Sequence, residues 1–332
     1  MTKSLYNIRK ACSGLCGIPY RKVSQTVMKN FSQPPKNDTR AFAAKRAAFL
    51  GIVAVLLVAV VVLCVYSAIS GALGGNTSAP NTVSSTDNGK LVIQDLYEGE
   101  ITIPKFNVPV NTYDTEKFSN DNGLVTYNDP DAALGIDVSD YQGDIDWETV
   151  KESGIEFAMI RAGYRGATRG GLNEDSKFQQ NYEAATAAGI NVGVYFFSQA
   201  TSVAEAEEEA GYVLTLLQGK TLTYPVVFDW EVAEVDGSRT ASATGEQITS
   251  YASAFCKKIS KAGYTAGVYF NRSLGYNYYD LEAVKDFDFW LAEYRTVPAF
   301  YYDFKIWQYS DNAQVKGIET PVDINISFKK YT

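Results

Sequence analysis

PVVFDWE, residues 225–231, is the stretch that decides how this chain is read. Its apolar residues follow one another without polar alternation, as in a strand covered on both faces of a parallel sheet. Two carboxylates close the run, Asp229 and Glu231, with Trp230 between them. Strand side chains alternate between faces, so residues two apart project together with Cα atoms about 6.5–7 Å apart. A lone acid at a strand end is ordinarily a solvated terminus or a helix cap. Two acids in an apolar run are harder to explain that way, because burial disfavours the ionised form unless a partner offsets it.

Working outward, seven more short apolar runs appear: GIDVS (135–139), FAMIRA (157–162), NVGVYFFS (191–198), TAGVYFN (265–271), FDFWLAEY (287–294), FKIWQYS (304–310) and VDINIS (322–327). Helical stripes separate the earlier ones. Phe178, Tyr182 and Ala185 share a face before Gly189, and Val203, Ala206, Ala210, Val213 and Leu217 share another behind a Ser202/Glu205 capping-box pattern. Ile248, Ala252, Phe255 and Ile259 make a third, ending near Gly263. The last three runs have shorter, less helical connections. Eight strands, with helices between the early ones, indicate an α/β fold of the TIM-barrel type with an eroded second half. An open doubly wound sheet is the competitor, but no glycine-rich phosphate loop supports it.

In a closed barrel the first and eighth strands are neighbours and the fourth lies across the opening. Asp137 is on the first run and Asp323 on the eighth. With Asp229 and Glu231 they would converge at the mouth where barrel enzymes do chemistry. Tyr164, Tyr195, Phe197, Tyr269, Trp290, Tyr294, Trp307 and Tyr309 lie in or just beyond the same runs. Singly, each such aromatic belongs more often to a core than to a ligand; their clustering near the acids points to a groove. The chain has no histidine. That excludes Ser-His-Asp and Cys-His nucleophiles and His-ligated metals, and leaves acid–base work to carboxylates, Tyr or Lys. One protonated acid beside ionised neighbours is what cleavage of a glycosidic bond requires.

GIDVSDYQGDIDW (135–147), DWE (229–231), AGVYFN (266–271), FWLAEY (289–294) and the closing IWQYS and VDINIS resemble glycoside hydrolase family 25, the N-acetylmuramidases or lysozymes. The resemblance covers about residues 134–330, with the motifs in order. It implies an irregular (β/α)5(β)3 barrel over residues 134–332 that cuts the β-1,4 bond after N-acetylmuramic acid in peptidoglycan. It also implies that Glu231 is the general acid, with Asp229 orienting the substrate's 2-acetamido group if that group is the nucleophile. Direct attack by water is the other route. Asp137 and Asp323 would shape the site and tune Glu231; Tyr195, Tyr269, Trp290 and Tyr164 are substrate-binding candidates. No metal or cofactor is called for. A wall-glycan-binding module without catalysis is the alternative function; it would keep the aromatics without needing all four acids.

The rest of the 332 residues says where such a domain would work. The formal charge of −8 hides an asymmetry: residues 1–46 hold ten Lys or Arg against Asp38 alone, and the remainder has 20 basic residues against 37 acidic. The acidic remainder argues against a nucleic-acid partner. Residues 47–69 are 23 uncharged residues rich in Val, Leu, Ala and Ile. About 20 such residues cross a bilayer as a helix, and this run is too long for a signal-peptide core. Lys45 and Arg46 abut it, so the positive-inside rule keeps the basic tail (1–46) cytoplasmic and exports the chain beyond residue 69. A single-pass type II protein of the cell membrane is therefore expected, its catalytic domain outside a Gram-positive-type cell, with peptidoglycan strands and the membrane as partners and no protein partner inferred. Residues 70–133 read as a partly ordered extracellular stalk, with LVIQDLY and ITIPKFNVPV as short strand candidates interrupted by Asn, Asp and Pro. Taken as coil, the roughly 65 residues between span and barrel would reach roughly 45 Å. Cys256 is the only cysteine beyond the span, so the exported part can form no internal disulfide.

Overall fold

The structure is a computed structural model and describes residues 81–332, apart from 87 and 234. The basic tail (1–46) and the apolar span (47–69) lie outside the described residues. No helix among the described residues is long and apolar enough to cross a membrane.

Among the described residues, five strands precede the barrel. β1 (Asn81–Thr86), β2 (Lys90–Asp95) and β3 (Gly99–Pro104) form an antiparallel sheet, and β4 (Phe118–Asp121) and β5 (Leu124–Tyr127) form a hairpin. The part of the expected stalk from residue 90 onward is thus folded, and it packs on the barrel. Ile93, Ile103 and Val125 are buried in the same core as the barrel's outer layer. Phe118 and Tyr127 each pack edge to face on Phe328 at the foot of the barrel, tilted against one another. Asn, Asp and Pro do interrupt the strands as expected, but the order comes from contacts with residues nearly two hundred positions away.

The barrel itself begins with β6 (Ala133–Val138) and α1 (Trp147–Glu152), then β7 (Phe157–Arg165), the short β8 (Leu172–Glu174) and α2 (Phe178–Ala187). β9 (Asn191–Ser198), α3 (Val203–Leu216), β10 (Val226–Trp230), α4 (Gly245–Lys261), β11 (Ala266–Asn271) and α5 (Arg272–Asn277) follow. Three strands close the chain: β12 (Asp288–Ala292), β13 (Ile306–Ala313) and β14 (Val322–Ser327). Leaving β8 aside as an edge strand on β7, this is five strand–helix units followed by three strands. β6 pairs with both β7 and β14, which closes the ring and excludes the open sheet. β14 runs antiparallel to both neighbours, the one reversal among the eight staves.

Strand alternation sorts the side chains into two layers. Phe157, Met159, Tyr224, Val227, Tyr269, Trp290 and Ile306 fill the barrel's interior. Facing outward, Ile136, Ile160, Val194, Phe228, Phe270 and Trp307 pack beneath the helices and the N-terminal strands. Each fully buried side chain of this kind contributes about 1.5–3 kcal/mol. Two glycines make room inside: a Cβ on Gly135 would sit 2.3 Å from the Phe157 ring, and one on Gly193 2.6 Å from Met159 Sδ.

Candidate active site

Asp137 lies near the C-terminal end of β6 and Asp229 near that of β10, with Glu231 one residue past the strand. Asp323 lies near the start of β14, and because β14 is reversed this is the same end of the barrel. Asp323 is the register partner of Asp137. All four carboxylates line one cleft of about 270 Å³, together with Tyr195, Tyr269, Trp290, Tyr294, Arg161 and Gln308.

The cleft floor is a hydrogen-bonded chain. Trp290 Nε1 donates to Asn325 Oδ1 at 2.8 Å, which turns the Asn325 amide so that Nδ2 donates to Asp137 Oδ2 at 2.7 Å. Tyr269 and Tyr294 donate their hydroxyls to Gln308 Oε1 at 2.9 and 3.2 Å, and Gln308 Nε2 then donates to the same Asp137 oxygen at 2.9 Å. Two amides are thereby aimed at one carboxylate. Burial and the facing Asp323 nevertheless outweigh them and hold Asp137 well above the usual carboxylate range.

Asp229 is buried and its Oδ1 has no hydrogen-bond partner. Burial first, then Glu231 and Asp137, push its carboxyl well up, against the pull of Arg161. Glu231 is only partly buried; burial and Asp323 raise it as well. Its backbone carbonyl accepts from Gln199 Nε2 at 2.8 Å, and Gln199 is in turn fixed by the Thr240 hydroxyl at 2.7 Å. Asp323 is lifted to about 6 by burial and by Asp311. Four carboxylates sharing one desolvated mouth disfavour one another's ionisation, so the site keeps protons above the usual carboxylate range. Among the described residues no group of three or more His, Cys, Asp or Glu is arranged to hold a metal ion.

The aromatics divide. Trp290 and Tyr269 are 2% and 7% exposed, so they build the floor by edge contacts (ring centroids 4.9 Å apart) rather than offering open faces. Tyr195 stands on Trp290, edge to face. Tyr164 lies in an adjoining pocket of about 410 Å³ that shares Tyr141, Arg161 and Phe197 with the cleft. The open rings at the mouth are Tyr141, 78% exposed, and Tyr294, 49% exposed. Tyr141 is presented by a single turn capped by Ser139, and the Arg161 guanidinium lies 5.2 Å from its ring centroid. Arg161 itself is held by Asp140 and Asp175. Trp307 and Tyr309 face the outer core, away from the cleft. Sequence reasoning left Gln308, Asn325, Arg161 and Tyr141 unassigned. The available signal was an uncharged polar residue inside an apolar run, as in VDINIS, two positions from an acid.

Carboxylates gathered in an aromatic-walled cleft at the C-terminal mouth of a barrel make the site plan of a glycoside hydrolase. The chain belongs to glycosyl hydrolases family 25, whose sequence model matches residues 136–318. It is 30% identical over 198 residues to the autolytic lysozyme of Clostridium acetobutylicum, covering 58% of this chain and 54% of that protein. It is also 30% identical over 210 residues to lysozyme M1 of Streptomyces globisporus, covering 59% of this chain and 68% of that one. The chain thus spans about half the length of the first of these relatives. Its fold resembles that of the modular autolysin LytC from Streptococcus pneumoniae, solved with a synthetic peptidoglycan ligand, at a TM-score of 0.54 and 23% identity, over 72% of this chain and 56% of that one.

Proposed function

We propose that this protein is a membrane-anchored peptidoglycan hydrolase that cleaves the β-1,4 bond between N-acetylmuramic acid and N-acetylglucosamine. Glu231 is the general acid: partly open to the cleft and raised by burial and by Asp323, it protonates the glycosidic oxygen as the C1–O bond breaks. The attacking atom is the oxygen of the substrate's own 2-acetamido group or that of a water. A second carboxylate beside Glu231 in the cleft, Asp229, favours the first, since a carboxylate there can accept the acetamido N–H as positive charge builds. Water then opens the cyclic intermediate and returns a proton to Glu231. Asp137, fixed in place by Asn325 and Gln308, shapes the floor beneath the sugar.

The observation that carries the proposal is the convergence of Asp137, Asp229, Glu231 and Asp323 on one cleft. Release of new reducing ends from purified peptidoglycan by the full-length protein tests it. Glycan binding without release would assign a wall-binding module instead.

The anchor is part of the same proposal. Residues 47–69 hold the chain in the cell membrane with residues 1–46 in the cytoplasm and the barrel outside, where peptidoglycan is the partner. What supports this is the uninterrupted apolar span and the basic flank before it.

A further inference from the structure

Residues 90–113 precede the segment that the family matches, and yet they grip one wall of the cleft. Arg272, at the start of α5, sits between two buried carboxylates. Its Nη2 donates to Asp95 Oδ2 at 2.6 Å and its Nη1 to Glu293 Oε1 at 3.0 Å. The Asp95 and Glu293 side chains are 0% and 5% exposed, so neither charge has water to fall back on. Glu293 Oε2 accepts the N–H groups of Ala299 and Phe300 at 2.9 and 3.1 Å, folding the chain after β12 back on itself. Asp95 Oδ1 accepts those of Tyr97 and Glu98 at 2.8 and 2.9 Å.

Tyr97 then returns to the same loop. Its hydroxyl donates to the Val297 carbonyl at 2.8 Å and accepts the Val297 N–H at 3.2 Å, while the Arg295 guanidinium lies 4.9 Å from its ring centroid. Farther along, Asn111 bonds the backbone of Phe300 and Tyr301, and the Tyr302 hydroxyl donates to the Pro104 carbonyl. The segment of about ten residues after β12 is therefore pinned on its outer side by chain from before the barrel. Next to Glu293 in this segment is Tyr294, which lines the cleft and bonds Gln308, the donor to Asp137.

We propose that Asp95 and Tyr97 are positioning residues: acting through Arg272 and the Glu293 loop, they set Tyr294 as a wall that determines how a glycan strand is bound. This rests on the glycan-cleaving function proposed above. Held in place, an open ring beside the acids meets a sugar without first ordering a loop, and the benefit falls on substrate binding rather than on proton transfer.

The test uses full-length protein and soluble, uncrosslinked peptidoglycan strands. Asp95→Asn removes the ion pair, and the milder Tyr97→Phe removes only the hydroxyl bridge. Each should raise KM, Asp95→Asn by about tenfold, with kcat within about twofold, the split expected when binding alone is lost. Combined with Tyr294→Ala, which deletes the wall, neither should raise KM further, because residues acting through one group are non-additive. Backbone hydrogen exchange at Ala299 and Phe300 should quicken about tenfold in Asp95→Asn. An unchanged KM in both variants, a KM rise that persists undiminished beside Tyr294→Ala, or unchanged exchange would overturn the proposal. A wild type that cleaves nothing would defeat the function proposed above, and exchange alone would then decide the positioning.

Discussion

Asp323→Asn separates the site's chemistry from its contribution to stability in one substitution. Burial and Asp311 lift the Asp323 carboxyl from 3.8 to about 6. Below about pH 4 the group is protonated in folded and unfolded chains alike and favours neither. Between about pH 4 and 6 the unfolded chain ionises first, and above that the folded state carries a charge it has partly stripped of water. Stability is thus full at low pH and is lost as pH climbs through that window. At about 1.4 kcal/mol for each pH unit between the two values, the ionised group costs up to about 3 kcal/mol. Partial contact with solvent trims this to about 1–3 kcal/mol. Asn keeps the shape without the charge, so the variant should melt roughly 2–12 °C above wild type at about pH 7.5, at about 2–4 °C per kcal/mol for a domain of this size. At about pH 3.5 the gap should close. Activity should change with it, because Asp323 is one of the groups raising Glu231. Without that charge Glu231 gives up its proton at lower pH, and the alkaline limb of the kcat/KM profile moves toward acid. Thermal melts followed by near-UV circular dichroism at both pH values, with a pH–rate profile beside them, are the assay. A melting gap that does not change with pH, a wild type more stable at neutral pH, or an alkaline limb displaced upward would refute the reasoning.

Glu231→Gln should fold normally and lose about 10²–10⁴-fold in kcat, because an amide cannot deliver the proton; reducing-end release compared with a matched melting curve checks both halves. Asp229→Asn should lower kcat in the same assay, and the wild-type product should keep its anomeric configuration if the acetamido group attacks. NMR of early product that showed inversion would favour a water held between carboxylates. Full-length protein should stay with membranes through a high-salt wash, and protease added to protoplasts should remove the barrel while sparing residues 1–46. Enzyme recovered mainly in the medium, with a new N-terminus just after residue 69, would mean that the span is a cleaved signal.

The reach proposed for the barrel is shorter than its sequence suggests. Only eleven residues, 70–80, separate the end of the apolar span from β1. At about 3.3–3.6 Å per residue they extend to no more than about 40 Å. The pattern 91–133 concealed this because what orders it is remote. Asp95 meets Arg272 across 177 positions and Tyr97 meets Val297 across 200. No local periodicity records such a contact.

The eight barrel strands were legible for the opposite reason: each is a mostly apolar run, and the core that buries it on both faces leaves a mark along it. α1 and α5, at six residues each, are too short to show a repeat. The direction of β14 leaves no mark either, since burial on both faces looks the same whichever way a strand runs. The site divides along the same line. Its acids stood out because a charge inside an apolar run is costly and so conspicuous, whereas Asn325 and Gln308 are neutral and look like tolerated polar residues until their partners are known. Tyr164 shows how far alternation can be trusted. Between Arg161 and Gly163 the β7–β9 register slips, so that Tyr164 rather than Gly163 pairs with Phe197. One extra residue in a strand shifts the side-chain phase beyond it. The ring lands in the pocket beside the cleft instead of over the carboxylates, a displacement that composition and spacing could not reveal.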